Sequence, residues 1–181
     1  MHRFTWDLRT VGPWMSATRP EGPNGPMMPP GNYAVRLTVG SYTSTAPFHV
    51  TEDPRVLKDG VTLSDLQEQY EHNIRVRDLV SETNQIVARV RAAQASLKGS
   101  LGVEAEQLAK VNEVASHLIT PAIRYSKPEL QTHVTYLYGE DNNTDQKVGH
   151  DAMDRYLELK KELELRNAEL IKILGPVKAK P

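Results

Sequence analysis

The stretch GNYAVRLTVGSYTSTAPFHV, from Gly31 to Val50, decides what kind of fold the chain begins with. Tyr33, Val35, Leu37 and Val39 fall at every second position, the period of a strand with one apolar face. Gly40-Ser41 suits a tight hairpin turn with glycine leading. The return strand covers about Tyr42 to Val50, where Pro47 is tolerable only at an edge or a bulge. Toward the N-terminus, Phe4, Trp6 and Leu8 alternate with Arg3, Thr5 and Asp7, which predicts a third strand with Trp6 in its apolar column. Between them residues 12–31 run GPWMSATRPEGPNGPMMPPG, too rich in proline and glycine for a helix or a central strand.

Toward the C-terminus the grammar changes at Asp53-Pro54. Eight of the twelve prolines, both tryptophans and both phenylalanines lie within residues 1–54, and beyond them the only aromatics are five tyrosines. Proline biases its predecessor away from helix, so a domain boundary is placed there. Residues 55–181 read as a helical bundle with helices at about 64–98, 103–119, 127–138 and 146–174. Ser64 and Gln67 form a capping-box pattern, and Leu66, Tyr70, Ile74, Thr83, Ile86, Val90, Ala93 and Leu97 follow three- and four-residue steps. The second helix carries Leu108, Val111, Ala115 and Leu118 on its stripe and stops at Pro121. Ser126 to Glu129 is another capping-box pattern with proline in the first turn, and Gly139 closes that helix. The last runs on Val148, Ala152, Tyr156, Leu159, Leu163, Leu170 and Leu174, with Asp151–Arg155 and Glu162–Arg166 spaced to pair on its exposed face.

Three strands with one apolar face need a cover, and an Ig-like sandwich has about seven strands. Either the helices cover this sheet or upstream strands complete it, and the second reading is favoured. The fold class expected is α+β: a partial Ig-like antiparallel β-module over residues 1–54, followed by an antiparallel helical bundle over 55–181.

The composition bounds the function. The formal charge is −1, and it stays balanced: residues 1–54 carry four basic and four acidic side chains, the remainder 18 and 19. A nucleic-acid binder needs a basic footprint that this pattern lacks. Cysteine is absent, which excludes disulfides, thiolate metal sites and a cysteine nucleophile. No apolar run approaches the roughly 20 residues of a membrane span, and MHRFTWDLR is not a signal-peptide pattern.

The sequence carries few groups arranged for chemistry. Histidines stand at 2, 49, 72, 117, 133 and 150, none four residues from another, so no zinc-protease helix motif exists. His72 and His133 are expected at a solvent-facing or core-edge position. No glycine loop precedes a helix to cradle phosphate, and no Gly-x-Ser-x-Gly elbow occurs. Asp141-Asn-Asn143-Thr-Asp145 resembles the start of an EF-hand loop, but Gln146 and Ala152 stand where glycine and glutamate belong. The plainer reading is a polar connector whose Asn143 or Thr144 caps the last helix; Asn142-Asn-Thr144 is formally a glycosylation sequon. Glu68, Glu71, Asp78 and Glu82 are interleaved with Arg75 and Arg77, the pattern of a solvated helix face rather than of a glycosidase pair. No catalytic, cofactor-binding or metal-binding residue is assigned. Trp6 is expected in the core, and Trp14, in the loop, is the candidate contact for a glycan or a partner.

The order of Trp6-Asp7-Leu8-Arg9, Pro30-Gly31-Asn32-Tyr33-Ala34-Val35-Arg36-Leu37 and Asp53-Pro54-Arg55 resembles the C-terminal region of exported bacterial BNR-repeat or sortilin-like β-propeller proteins. Ser64-Asp65-Leu66-Gln67 and Tyr136-Leu137-Tyr138-Gly139 look like their helical tail. Some of these proteins are called glycosyl hydrolases or sialidase-like. The resemblance spans nearly the whole chain, but its motifs are structural and none is catalytic. It implies an extracytoplasmic location, with a signal peptide upstream, and a non-catalytic accessory module whose partner is the upstream propeller or another protein. The alternative is a glycan-binding part, using Trp14 and the proline-rich loop, of an enzyme whose catalytic propeller lies elsewhere. A helical adaptor is a third reading.

Overall fold

A computed structural model of the chain describes residues 3–176. Two strands lead, β1 (Gly31–Val39) and β2 (Tyr42–Val50). Five helices follow: α1 (Pro54–Lys58), α2 (Leu63–Leu97), α3 (Val103–Leu118), α4 (Leu130–Asp141) and α5 (His150–Leu174). The α+β class expected from the sequence is the one found.

The 35-residue helix α2 is the spine of the bundle. Its buried stripe runs Leu66, Gln69, Asn73, Val76, Val80, Thr83, Val87 and Val90, the alternating three- and four-residue steps of a packed helix. Three polar members interrupt that stripe, while Tyr70 and Ile74 are only half-buried. Gln94 bonds Asn112 in α3, Asn84 bonds Gln131 early in α4, and His72 meets Asp141 at the end of α4. Helices α3 and α4 therefore lie one after the other along α2, both antiparallel to it. Along α5, Tyr156 stacks edge-on against His72, and Arg89 of α2 donates to the carbonyl of Gly175 just past the helix end. Thus α5 runs parallel to α2. The result is an up-down-up arrangement of three rows whose middle row is broken at residues 119–129. Fully buried Leu118, Leu130, Leu159, Leu163 and Leu170 fill its centre.

Several local expectations are corrected. Residues 3–8 form no strand: Leu8 adopts φ 62°, and among the described residues the first bridge is made by Arg9, to Met27. The cap of α2 is Thr62, whose hydroxyl accepts from Asp65 N–H while the Asp65 carboxylate accepts from Thr62 N–H; Ser64 lies inside the helix. The Ser126–Glu129 box does not form. Glu129 N–H donates to the Thr120 hydroxyl, Ser126 bonds the Ile123 carbonyl, and α4 continues through Gly139 to Asp141. Helix α5 begins at His150 with Gly149 at its cap and no side-chain bond, so neither Asn143 nor Thr144 caps it. Arg155 and Arg166 pair forward with Glu158 and Glu169 rather than back with Asp151 and Glu162.

The proline-rich segment is folded rather than loose. Bridges Arg9↔Met27, Gly12↔Gly22 and Ser16↔Arg19 draw residues 9–27 into an irregular hairpin with its tip at Ala17-Thr18. The limbs lie so close that a Cβ on Gly25 would sit 2.0 Å from the Thr10 carbonyl oxygen, and one on Gly12 2.1 Å from that of Pro23. This strap is fastened to the bundle. Trp14 N–H donates to the Ser81 hydroxyl (3.0 Å), Asn84 Nδ2 donates to the Trp14 carbonyl (2.8 Å), and Tyr138 OH donates to the Asn24 carbonyl (2.6 Å). The change of composition at residue 54 is therefore not a packing boundary for the strap.

Candidate functional site

The β1–β2 hairpin is the feature that packing leaves unfinished. Its turn is Gly40-Ser41, with Gly40 at φ 59°, the glycine-first geometry that matches strand twist. The register is continuous from Val39↔Tyr42 to Gly31↔Val50, without a bulge. Partners across a ladder share a face, so Tyr33, Val35, Leu37 and Val39 lie with Phe48, Ala46, Ser44 and Tyr42. The opposite face carries Asn32, Arg36, Thr38, Thr43, Thr45 and His49; Asn32–His49 and Thr38–Thr43 bond across it. The hairpin is thus amphipathic, yet no Cα of either strand lies within 8 Å of a helix Cα, and the hairpin approaches α2 only through side chains at its base, where Val50 and Tyr70 line one concavity. On the apolar side Val35 is 53% and Leu37 58% exposed, and Val39 and Tyr42 are open as well.

Among the described residues only the base of that face is covered, by an aromatic cluster. Trp6 packs edge-on against Tyr33 (5.9 Å) and Phe48 (6.1 Å), and these two stack at 5.8 Å. The indole N–H donates to the Arg9 carbonyl (2.8 Å), which holds the ring in place. Tyr33 OH donates to the Pro29 carbonyl, and burial followed by the neighbouring Tyr70 raises its pKa. Phe4 stays 85% exposed beside the cluster. A groove of about 560 Å³ runs between Phe4, Trp6 and Leu8 on one side and Tyr33 to Arg36 on the other.

A second concavity, of about 270 Å³, lies where the strap, the hairpin base and α2 meet. Met27, Met28, Pro29 and Tyr70 give it an apolar wall, and Asn73 and Asn142 a polar one. Oδ1 of Asn73 and Oδ1 of Asn142 are both buried and find no partner among the described residues. Behind that wall is a polar cluster on α2. Gln69 donates to the Thr144 carbonyl (2.6 Å), Asn73 to the Asp141 carbonyl (3.1 Å), and His72 Nε2 sits 2.9 Å from Asp141 Oδ2. The 141–145 run, which has some EF-hand spacing, is therefore an anchored connector, with the Asp141 carbonyl and carboxylate and the Thr144 carbonyl bonded by α2.

Of the residues singled out in the sequence, Trp6 is half-buried in the aromatic cluster rather than in a closed core. Trp14 is half-buried and fastens the strap to α2; it lines neither concavity. His72 is buried at 1% exposure, a correction to its expected place at a core edge, and His133 is half-buried on α4. The phase of the α2 stripe carries the signal for this, since Gln69, His72 and Asn73 fall between Leu66 and Val76. No helix among the described residues is long and apolar enough to cross a membrane. No protein-family model, curated protein or solved structure matches the chain.

Proposed function

We propose that this chain is a non-catalytic accessory module from the C-terminal part of a larger exported, sortilin-like or BNR-repeat β-propeller protein, and that it works by docking. The observation that carries the reading is the bared apolar face of an otherwise well-formed hairpin. Exposed apolar surface of this continuity is costly in water and marks an interaction site. The bundle and its strap form the rigid base; the hairpin offers alternate apolar side chains to the propeller or to the remaining strands of an Ig-like module. The genomic DNA immediately upstream of Met1 tests the parentage. An open frame there encoding repeated Asp-box hairpins is expected, and a promoter preceded by a stop codon overturns it. Turnover of model glycosides by the purified chain, in turn, defeats the non-catalytic half of the reading.

The cleft behind the strap favours a second reading, a glycan-binding part of a hydrolase-like enzyme. Two buried acceptors beside a methionine and tyrosine wall suit a ring with hydroxyl donors and an apolar face. Binding on a glycan array that is lost in Asn73→Ala supports this reading at the cleft, whereas loss in Trp14→Ala alone locates it on the strap.

A further inference from the structure

The two edges of the hairpin are not equivalent. A two-residue turn makes its closing pair, Val39 and Tyr42, a hydrogen-bonded one, and the pairs then alternate. The odd-numbered residues of β1 consequently bond to β2, while Asn32, Ala34, Arg36 and Thr38 direct N–H and C=O outward. On β2 the outward residues are Thr43, Thr45, Pro47 and His49. Pro47 has no N–H, so it costs the ladder nothing and interrupts the β2 edge near its middle. The β1 edge has no such interruption, and among the described residues no strand pairs with it.

We propose that β1 is a self-pairing edge, on which β1 of a second copy adds antiparallel about a two-fold axis through Val35. That register sets Ala34 opposite Arg36 and Asn32 opposite Thr38 of the other copy, so every outward residue finds a partner. Centring on Arg36 instead brings two guanidinium groups face to face, which like-charge repulsion disfavours. Centring on Ala34 sets Thr38 against Pro30, which has no N–H to give. Arg36 is the hairpin's only Lys, Arg, Asp or Glu, and the Val35 register places it against alanine. On the apolar side Leu37 of the second copy comes beside Tyr33, at the groove lined by Phe4 and Trp6. The product is a four-stranded sheet, β2–β1–β1–β2, with Pro47 on both outer edges. Growth stops there, giving a closed dimer rather than a fibre. This inference concerns the edge and stands apart from the docking reading, which concerns the face.

The native chain has no cysteine, so Val35→Cys places a single thiol on the axis. Facing residues of a non-hydrogen-bonded antiparallel pair have Cα atoms about 4.5 Å apart, within the span of a disulfide. Leu37→Cys is the control: it is as exposed as Val35, 58% against 53%, but its two copies lie about 14 Å apart in this register. Under mild oxidation Val35→Cys is expected to form disulfide-linked dimer about tenfold faster than Leu37→Cys. Adding Ala34→Pro, which removes an outward N–H directly across from the tolerated Pro47, is expected to abolish that difference. Sedimentation of the unmodified chain is expected to show a monomer–dimer equilibrium. Equal crosslinking rates, faster crosslinking of Leu37→Cys, or a strictly monomeric chain at high concentration each overturn the proposal. If Ala34→Pro unfolds the hairpin, by circular dichroism, the comparison of the two cysteine variants decides alone.

Discussion

At the residue scale, the pair formed by His72 and Asp141 joins the spine of the bundle to the end of α4. His72 is 1% exposed and its partner carboxylate is 2.9 Å away, so truncating either leaves a buried polar group without its bond. His72→Ala is expected to destabilise the chain by about 2–4 kcal/mol, from the lost bond and the cavity together. A double-mutant cycle with Asp141→Ala, read from denaturant midpoints, should return a coupling of about 1–3 kcal/mol; additive losses would show that the two side chains merely sit close. Tyr138 offers a pH test of the strap. Burial pushes its pKa from 10.0 up to about 12, with Arg77 and Arg9 pulling the other way, and its hydroxyl holds the Asn24 carbonyl. Because the folded value is the higher one, its contribution is whole below pH 10 and is lost as pH rises toward 12. Tyr138→Phe should remove that alkaline step in denaturation profiles while lowering stability at neutral pH by about 0.5–1.5 kcal/mol; an unchanged step places its origin elsewhere. Neither residue was legible as a contact in the sequence. Histidine within a polar run reads as surface, and only the phase set by Leu66 and Val76 puts His72 on the buried side.

At the element scale, the strap and the hairpin show where local pattern succeeds and where it ends. The alternation in residues 31–50 gave two strands, their turn and the edge position of Pro47, because all of that information lies within twenty residues. The same alternation in residues 4–8 misled, because Trp6 finds its partners by packing over Tyr33 and Phe48 rather than by pairing, and Leu8 turns the chain. The strap was legible only as something other than helix or strand. Its fastenings are Ser81, Asn84, Tyr138 and Asn142, from 67 to 118 positions away, and no local period encodes them. Its glycines did carry a message that composition alone obscured, since three of them let the limbs touch. Gly25→Ala is therefore expected to spread the limbs and cost about 1–3 kcal/mol, as overpacking does. Hydrogen exchange is the direct measure: the amides of Thr10 and Met28, bonded across the strap to Pro26 and Leu8, should lose protection while those of α2 keep theirs. Protection that survives intact would mean the limbs have room to part without releasing their bonds.

At the scale of the whole molecule, the bundle and the hairpin meet different fates on folding. The bundle closes its own core, from Val76 and Val90 on α2 to Leu159 and Leu170 on α5, so most of the chain's stabilisation is expected there. A lone two-stranded hairpin is marginal in water, and this one is steadied only at its base by Trp6 and the Tyr33–Pro29 bond. Its open apolar face contributes little to the stability of the chain as it stands, which makes it separable. Gly31 and Val50 are directly paired, with Cα atoms about 5.5 Å apart, so a short glycine-serine bridge can replace the segment from Gly31 to Val50 without disturbing either end. The excised chain is expected to keep its helical circular dichroism and to melt within a few degrees of the parent, because no strand Cα lies within 8 Å of a helix Cα and the bundle core contains no hairpin residue. It should also lose concentration-dependent association and the binding of an apolar dye. A large fall in melting temperature would instead mean that the sheet supports the bundle core, and that its exposed side is a cost the fold carries for its own sake rather than for a partner.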